Sequence, residues 1–115
     1  MKLKKLSPDV AVSPQISVND IAAIKKLGYR VIVCNRPDNE GEGQTNFQEI
    51  NNAACAVNLS AIYQPVVPGK IGLNDVATFK SILREATGPV LAYCRTGNRS
   101  ETLWSQATSD GNLAI

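Results

Sequence analysis

Seven consecutive residues, Cys94-Arg95-Thr96-Gly97-Asn98-Arg99-Ser100, are the part of this chain best suited to chemistry on an anion. The cysteine supplies a nucleophile, the glycine permits a tight loop, and Arg99 closes it. Pro89-Val90-Leu91-Ala92-Tyr93 precedes the loop as a buried strand, and a helix is expected from Ser100. In such a strand–loop–helix arrangement the loop N–H groups converge on one point, and the helix N-terminus adds partial positive charge. The same field favours the thiolate of a cysteine placed there. Arg99 can grip two oxygens in fork geometry. Gly97 and Asn98 complete the cradle, Thr96 and Ser100 offer hydroxyls to Cys94 or the anion, and Ser100 is alternatively a helix cap. Arg95 is expected to point outward and attract anionic substrates.

Two reactions fit this loop. A thiolate held against converging N–H groups attacks a phosphoryl group to give a thiophosphate, or takes up a sulfane sulfur as a persulfide. The spacing is Cys-x4-Arg, one residue shorter than the Cys-x5-Arg ring expected around a tetrahedral phosphate. A shorter ring suits a single sulfur or a compact oxyanion. A third reading is a non-catalytic oxyanion-binding module. The chain has no histidine, which excludes Ser-His-Asp and Cys-His nucleophile pairs. Cys34, Cys55 and Cys94 lack metal-type spacing, so neither metal nor cofactor is expected. Cys34 is expected as a buried thiol, with a disulfide to Cys94 as the alternative, and Cys55 as a core residue.

The loop needs a scaffold to hold it. Tyr29–Cys34, Leu59–Tyr63 and Pro89–Tyr93 are short β-rich runs about thirty residues apart, the length of a βαβ unit. Val10-Ala11-Val12 is a candidate edge strand. Between them lie helical patterns. Ser17-Val18-Asn19-Asp20 starts one that carries Ile21, Ile24 and Leu27 and stops at Gly28. Thr45-Asn46-Phe47-Gln48 starts a second with Phe47, Ile50, Ala54 and Val57 on one face. Asn74 or Asp75 caps a third with Val76, Phe79, Leu83 and Ala86 as its stripe. The predicted fold is α/β, a mainly parallel sheet of four to five strands flanked by helices. In such folds ligands lie beyond the carboxyl ends of the strands. The loops Cys34–Asp38, Pro65–Lys70 and Cys94–Ser100 should therefore share one crevice. Arg36 either reaches the anion there or bridges to Asp38 or Glu40.

Length and charge add bounds. The chain of 115 residues makes one domain, and a net charge of +2 implies no bulk attraction to nucleic acid or membrane. The basic start Met1–Lys5 is broken by Pro8, Asp9 and Pro14 before any apolar core, which points to the cytoplasm. After Trp104 apolar periodicity is weak, so the last helix is expected to be short and frayed. Leu103 and Trp104 are expected to pack that helix.

The ordered set Val12–Ser17, Asn35-Arg36-Pro37-Asp38, Gln64-Pro65-Val66 and Ala92–Ser100 resembles the phosphatase-like domain of the bacterial beta-lactamase-hydrolase-like family. This family is also described as a sulfur transferase family. The resemblance runs from about Leu6 to Trp104. It implies a dual-specificity-phosphatase-like fold, Cys94 as nucleophile, Arg99 as anion-binding arginine, and a small anionic substrate. It also implies that related domains continue with further helices, as though this chain were truncated. Two departures stand out. Tyr93 occupies the place where tyrosine phosphatases carry histidine, and Gln64–Lys70, where they carry an aspartate general acid, has no carboxylate. Asp75 is expected to cap a helix, which leaves Asp38 as the candidate acid.

Overall fold

The computed structural model describes residues 1–109. Strands β1 (Lys4–Ser7), β2 (Val10–Ser13), β3 (Val31–Cys34), β4 (Ser60–Tyr63) and β5 (Val90–Tyr93) form one sheet in the order β1-β2-β5-β3-β4. Helices α1 (Ile21–Lys26), α2 (Phe47–Ala56), α3 (Leu73–Glu85) and α4 (Asn98–Thr108) cover its faces. β2, β5, β3 and β4 run parallel, while β1 is antiparallel to β2. The expected α/β architecture is therefore present.

Strand alternation sorts the core into two layers. Ala11, Ile32, Cys34, Leu91 and Tyr93 face α1 and α2, where Ile21, Ile24, Ile50 and Ala54 are buried. Val12, Val33, Val90 and Ala92 face the opposite way and meet Val76 and Phe79 of α3 and Leu103 and Ala107 of α4. β3 and β5 are buried along their whole length, as central parallel strands must be when both faces are covered.

Val10–Ser13 is not the edge. It lies between β1 and β5, and the edge strand on that side is Lys4–Ser7. Lys4 and Lys5 suit that position, because lysine discourages pairing with another chain. A half-exposed strand also needs no apolar run, which is why this segment gives so little signal in the sequence.

Helix ends follow local chemistry with small shifts. Asn46 caps α2 by accepting the Glu49 N–H at 2.9 Å. Asp75 supports the start of α3, but as its third residue, accepting the Gly72 N–H at 2.9 Å. α1 ends before Leu27, which is 60% exposed rather than part of the apolar stripe. Gly28, at φ +100°, makes the stop. Cys55 is exposed rather than buried: the covered face of α2 is set by Ile50 and Ala54. The final helix is not frayed at its start. α4 runs for 11 residues, with Leu103 and Ala107 fully buried and Trp104 packed on the same cluster. The expectation of truncation falls at residues 110–115, outside the described residues.

Candidate active site

Register places the site before any side chain is considered. Ser13, Cys34 and Tyr93 are cross-strand partners, and Tyr63 pairs with Cys34. The four parallel strands therefore end level, and Pro14, Asn35, Gln64 and Cys94 step off them side by side.

The loop after β5 closes tightly. Cys94 is fully buried, and its Sγ accepts the Gly97 N–H at 3.1 Å. Gly97 has φ +94°, and a Cβ there would lie 3.4 Å from the backbone carbon and oxygen of Ser13. Glycine answers both the left-handed backbone and the close approach of the neighbouring strand. α4 begins at Asn98, two residues earlier than expected, so its N-terminus lies directly over the loop. The loop is pinned to the exit of β2: the Cys94 N–H donates to Ser13 O at 3.4 Å and the Gln15 N–H to Arg95 O at 3.3 Å.

Arg99 is 8% exposed and leaves the first turn of α4 for the adjacent loops. Its NH1 donates to Val66 O at 2.9 Å and to Glu40 Oε2 at 2.8 Å. Its NH2 donates to Glu40 Oε1 at 2.7 Å. Arg36 joins the same carboxylate, with Nε donating to Glu40 Oε1 at 2.9 Å and NH1 to Gln15 Oε1 at 3.1 Å. The Arg99 hydrogen bonds hold the Glu40 carboxyl below its ordinary range against the opposing effect of burial, and Arg36 adds to the lowering. Conversely, the Glu40 hydrogen bonds raise the Arg99 guanidinium against the opposing effect of burial, and Cys94 adds to the rise.

A second network lies beneath. Ser100 Oγ donates to Asn35 Oδ1 at 2.8 Å, and Asn35 Nδ2 donates to Gln64 O at 2.9 Å. Ser100 is thus turned toward Asn35. Thr96 Oγ1 accepts the Asn98 N–H at 3.3 Å within its own loop. Arg95 is exposed, as expected, and so is Asn98.

Asp38 lies in the β3–α2 loop. Its Oδ1 accepts the Phe47 N–H at 2.9 Å, and its own N–H donates to Tyr63 Oη at 2.9 Å. It joins that loop to the start of α2 and to β4, beside the stacked rings of Phe47 and Tyr63. Cys34 and Cys94 are both free. Cys34 sits with Tyr93 on the α1/α2 face and donates its thiol to Arg36 O at 3.2 Å, whereas Cys94 turns into its own loop. Burial raises the Cys34 thiol, and burial likewise raises the Tyr93 phenol, with Cys34 adding to it.

The structure brings Cys94, Gly97, Arg99, Arg36 and Ser100 to one sheet edge. Sequence reasoning named Glu40 as a partner of Arg36, which the structure shows, but missed its bonds to Arg99, together with Gln15, Asn35 and Val66 O. One signal was available: Glu40 falls in the long loop after β3, four residues from Arg36. Among the described residues no cluster of three or more metal-ligating side chains occurs, and no helix is long and apolar enough to cross a membrane.

Comparison with known proteins agrees with this fold. Residues 2–110 match the family model for the beta-lactamase hydrolase-like protein, phosphatase-like domain. A beta-lactamase hydrolase-like protein of Agrobacterium fabrum is 30% identical over 104 residues, covering 90% of this chain. The chain spans 24% of that relative's length. The crystal structure of a candidate phosphatase from Neisseria meningitidis superposes with a TM-score of 0.85 at 38% identity, covering 93% of this chain and 77% of that one. The fold is also that of Pseudomonas aeruginosa TpbA, solved with pTyr: TM-score 0.65, 18% identity, 95% of this chain and 64% of that one.

Proposed function

The chain belongs to the phosphatase-like domain family of beta-lactamase hydrolase-like proteins, and from that premise we propose that it is a cysteine-dependent phosphatase-like hydrolase of small aryl phosphates. The observation that carries this reading is the pairing of Cys94 Sγ with the Gly97 N–H in a loop that leads directly into α4, whose first turn carries Arg99. A nucleophile and an anion cradle are then parts of one rigid turn.

The Cys94 thiolate attacks phosphorus. An S–P bond forms as the bond to the leaving oxygen breaks, and that oxygen takes a proton. Loop N–H groups and Arg99 hold the phosphoryl oxygens. Water then cleaves the thiophosphate, releasing inorganic phosphate and regenerating the thiolate. Asp38 is the candidate proton donor. With Oδ1 committed to the Phe47 N–H, it has only its second oxygen to use. General acid help is typically worth about 10²–10⁴ in rate, so a site poorly supplied with it favours phenolic leaving groups, which depart as weaker bases.

One observation supports a second reading, a Cys94 persulfide carrier. The neighbouring carboxylates already have partners: Glu40 the two arginines, Asp38 the Phe47 N–H, Asp75 the Gly72 N–H. Sulfur transfer needs no general acid. Intact-mass analysis after incubation with an aryl phosphate, and separately with thiosulfate, decides between them, with Cys94→Ser as control. A phosphoryl adduct with phenol release is expected. A gain of one sulfur that a thiol acceptor removes would replace the phosphatase reading. Oxyanion binding with neither adduct would leave a binding module.

A further inference from the structure

We propose that Glu40 is a positioning residue that turns one edge of the Arg99 guanidinium toward the anion over Cys94; this rests on reading Arg99 as the anion-binding arginine. A guanidinium has five N–H donors in one plane. Among the described residues, the oxygen contacts of Arg99 are the two from NH1, to Glu40 Oε2 and Val66 O, and the one from NH2, to Glu40 Oε1. They use both NH1 hydrogens and one NH2 hydrogen. The Nε–H and the second NH2 hydrogen remain. These two lie parallel on one edge, the pair that grips two oxygens of a tetrahedral oxyanion side-on. Glu40 thus binds the arginine end-on and leaves its side without an oxygen partner among the described residues. Without the carboxylate, the long side chain has several rotamers in which that edge faces elsewhere.

The loop around Glu40 is built to hold it still. Gln44 Oε1 accepts the N–H groups of Glu40 and Gly41, both at 3.1 Å, and Gln44 Nε2 donates to Pro37 O at 3.0 Å. Arg36 fixes Glu40 Oε1 and is itself tied to Gln15. A Cβ on Gly41 would lie 2.6 Å from Arg36 NH2, so the loop closes over a guanidinium already tethered at Nε and NH1. Two cations against one carboxylate also leave the cluster net positive, as an anion-binding edge requires. The competing role is a plug, a carboxylate occupying the arginine that substrate needs. The edge of Arg99 that carries no oxygen partner favours the positioning role.

The test measures orthovanadate affinity by calorimetry and aryl phosphate kinetics for the wild type, Glu40→Gln and Glu40→Asp, with thermal unfolding to verify folding. Glu40→Gln is expected to weaken vanadate and to lower kcat/KM by on the order of 10²-fold. Glu40→Asp, which keeps the charge, should recover part of both. Arg36→Gln, which loosens Glu40 but leaves its pair with Arg99, serves as the second variant, with a smaller loss in the same direction. Tighter vanadate binding in Glu40→Gln would overturn the proposal in favour of the plug. Unchanged vanadate binding and kinetics would overturn it outright. A wild type that binds no oxyanion would overturn the reading of Arg99 on which it rests.

Discussion

Ser100 and Asn35, separated by 65 positions in sequence, are joined by a 2.8 Å hydrogen bond from Ser100 Oγ to Asn35 Oδ1, and both are fully buried. Asn35 extends the link, donating its N–H to Tyr93 O at 2.8 Å, accepting the Val66 N–H at 3.0 Å and donating Nδ2 to Gln64 O. One side chain thus ties the first turn of α4 to the loop after β4. Asn35→Ala leaves the Ser100 hydroxyl and the Gln64 carbonyl without this partner, at about 1–3 kcal/mol for each buried group left unpaired. Ser100→Ala orphans only Asn35 Oδ1 and should cost less. Urea midpoints check the order; a midpoint for Asn35→Ala equal to wild type would remove this link from the account.

Gly97→Ala should damage the loop more than its single methyl suggests. The left-handed backbone costs a Cβ-bearing residue roughly 1–2 kcal/mol, and the methyl lies against the Ser13 carbonyl. The loop relieves this by moving the N–H that holds Cys94 Sγ. Aryl phosphate turnover is therefore expected to fall further than stability does. Turnover at the wild-type level would show that this hydrogen bond is dispensable.

Cys94→Ser should abolish turnover while leaving the unfolding temperature nearly unchanged, because Sγ makes a hydrogen bond that a hydroxyl can also accept. Residual turnover comparable to wild type would remove Cys94 as nucleophile.

The pH dependence of stability should carry the mark of Glu40. Its carboxyl is depressed in the folded chain, chiefly by the Arg99 hydrogen bonds, so its stabilising contribution is fully present above the unfolded glutamate value, about 4.3. That contribution is lost as pH falls from there through the folded value. The stability gap between wild type and Glu40→Gln, followed by urea unfolding, should be constant between pH 5 and 7 and should shrink below about pH 4. A gap independent of pH would mean that the charge of Glu40 contributes nothing.

The cysteines should separate by reactivity. Exposed Cys55 should be alkylated by iodoacetamide in the folded chain, and Cys34, buried with its thiol raised by burial, only on unfolding. Mild oxidation should yield no Cys34–Cys94 disulfide, since Cys34 shares the α1/α2 face with Tyr93 while Cys94 turns to Gly97. Peptide mapping by mass spectrometry reads both; a linked Cys34–Cys94 peptide from folded protein would contradict the assignment of faces.

What the chain reveals unaided is what short-range physics controls. The runs at Val31–Cys34 and Val90–Tyr93 are apolar without alternation because both faces of a central strand are covered, and that pattern is visible in one dimension. Asn46, Gly28 and Gly97 mark helix and loop boundaries through their own backbone and side-chain preferences. Cys94, Gly97 and Arg99 declare the candidate site because a loop that small is closed by neighbours in sequence.

The tertiary structure alone decided the rest. Lys4–Ser7 is a strand only because Val10–Ser13 offers it an edge, and hydrogen bonding to a neighbour leaves no compositional trace. Cys55 and Leu27 are exposed because the packing partner selects the covered face of a helix, and the helix's own residues do not. Glu40 reaches Arg99 across 59 positions only when β3 and β5 lie side by side and end level. Sequence spacing cannot encode that distance. The candidate loop is thus specified locally, whereas the carboxylate bonded to its arginine is specified by the order of the strands.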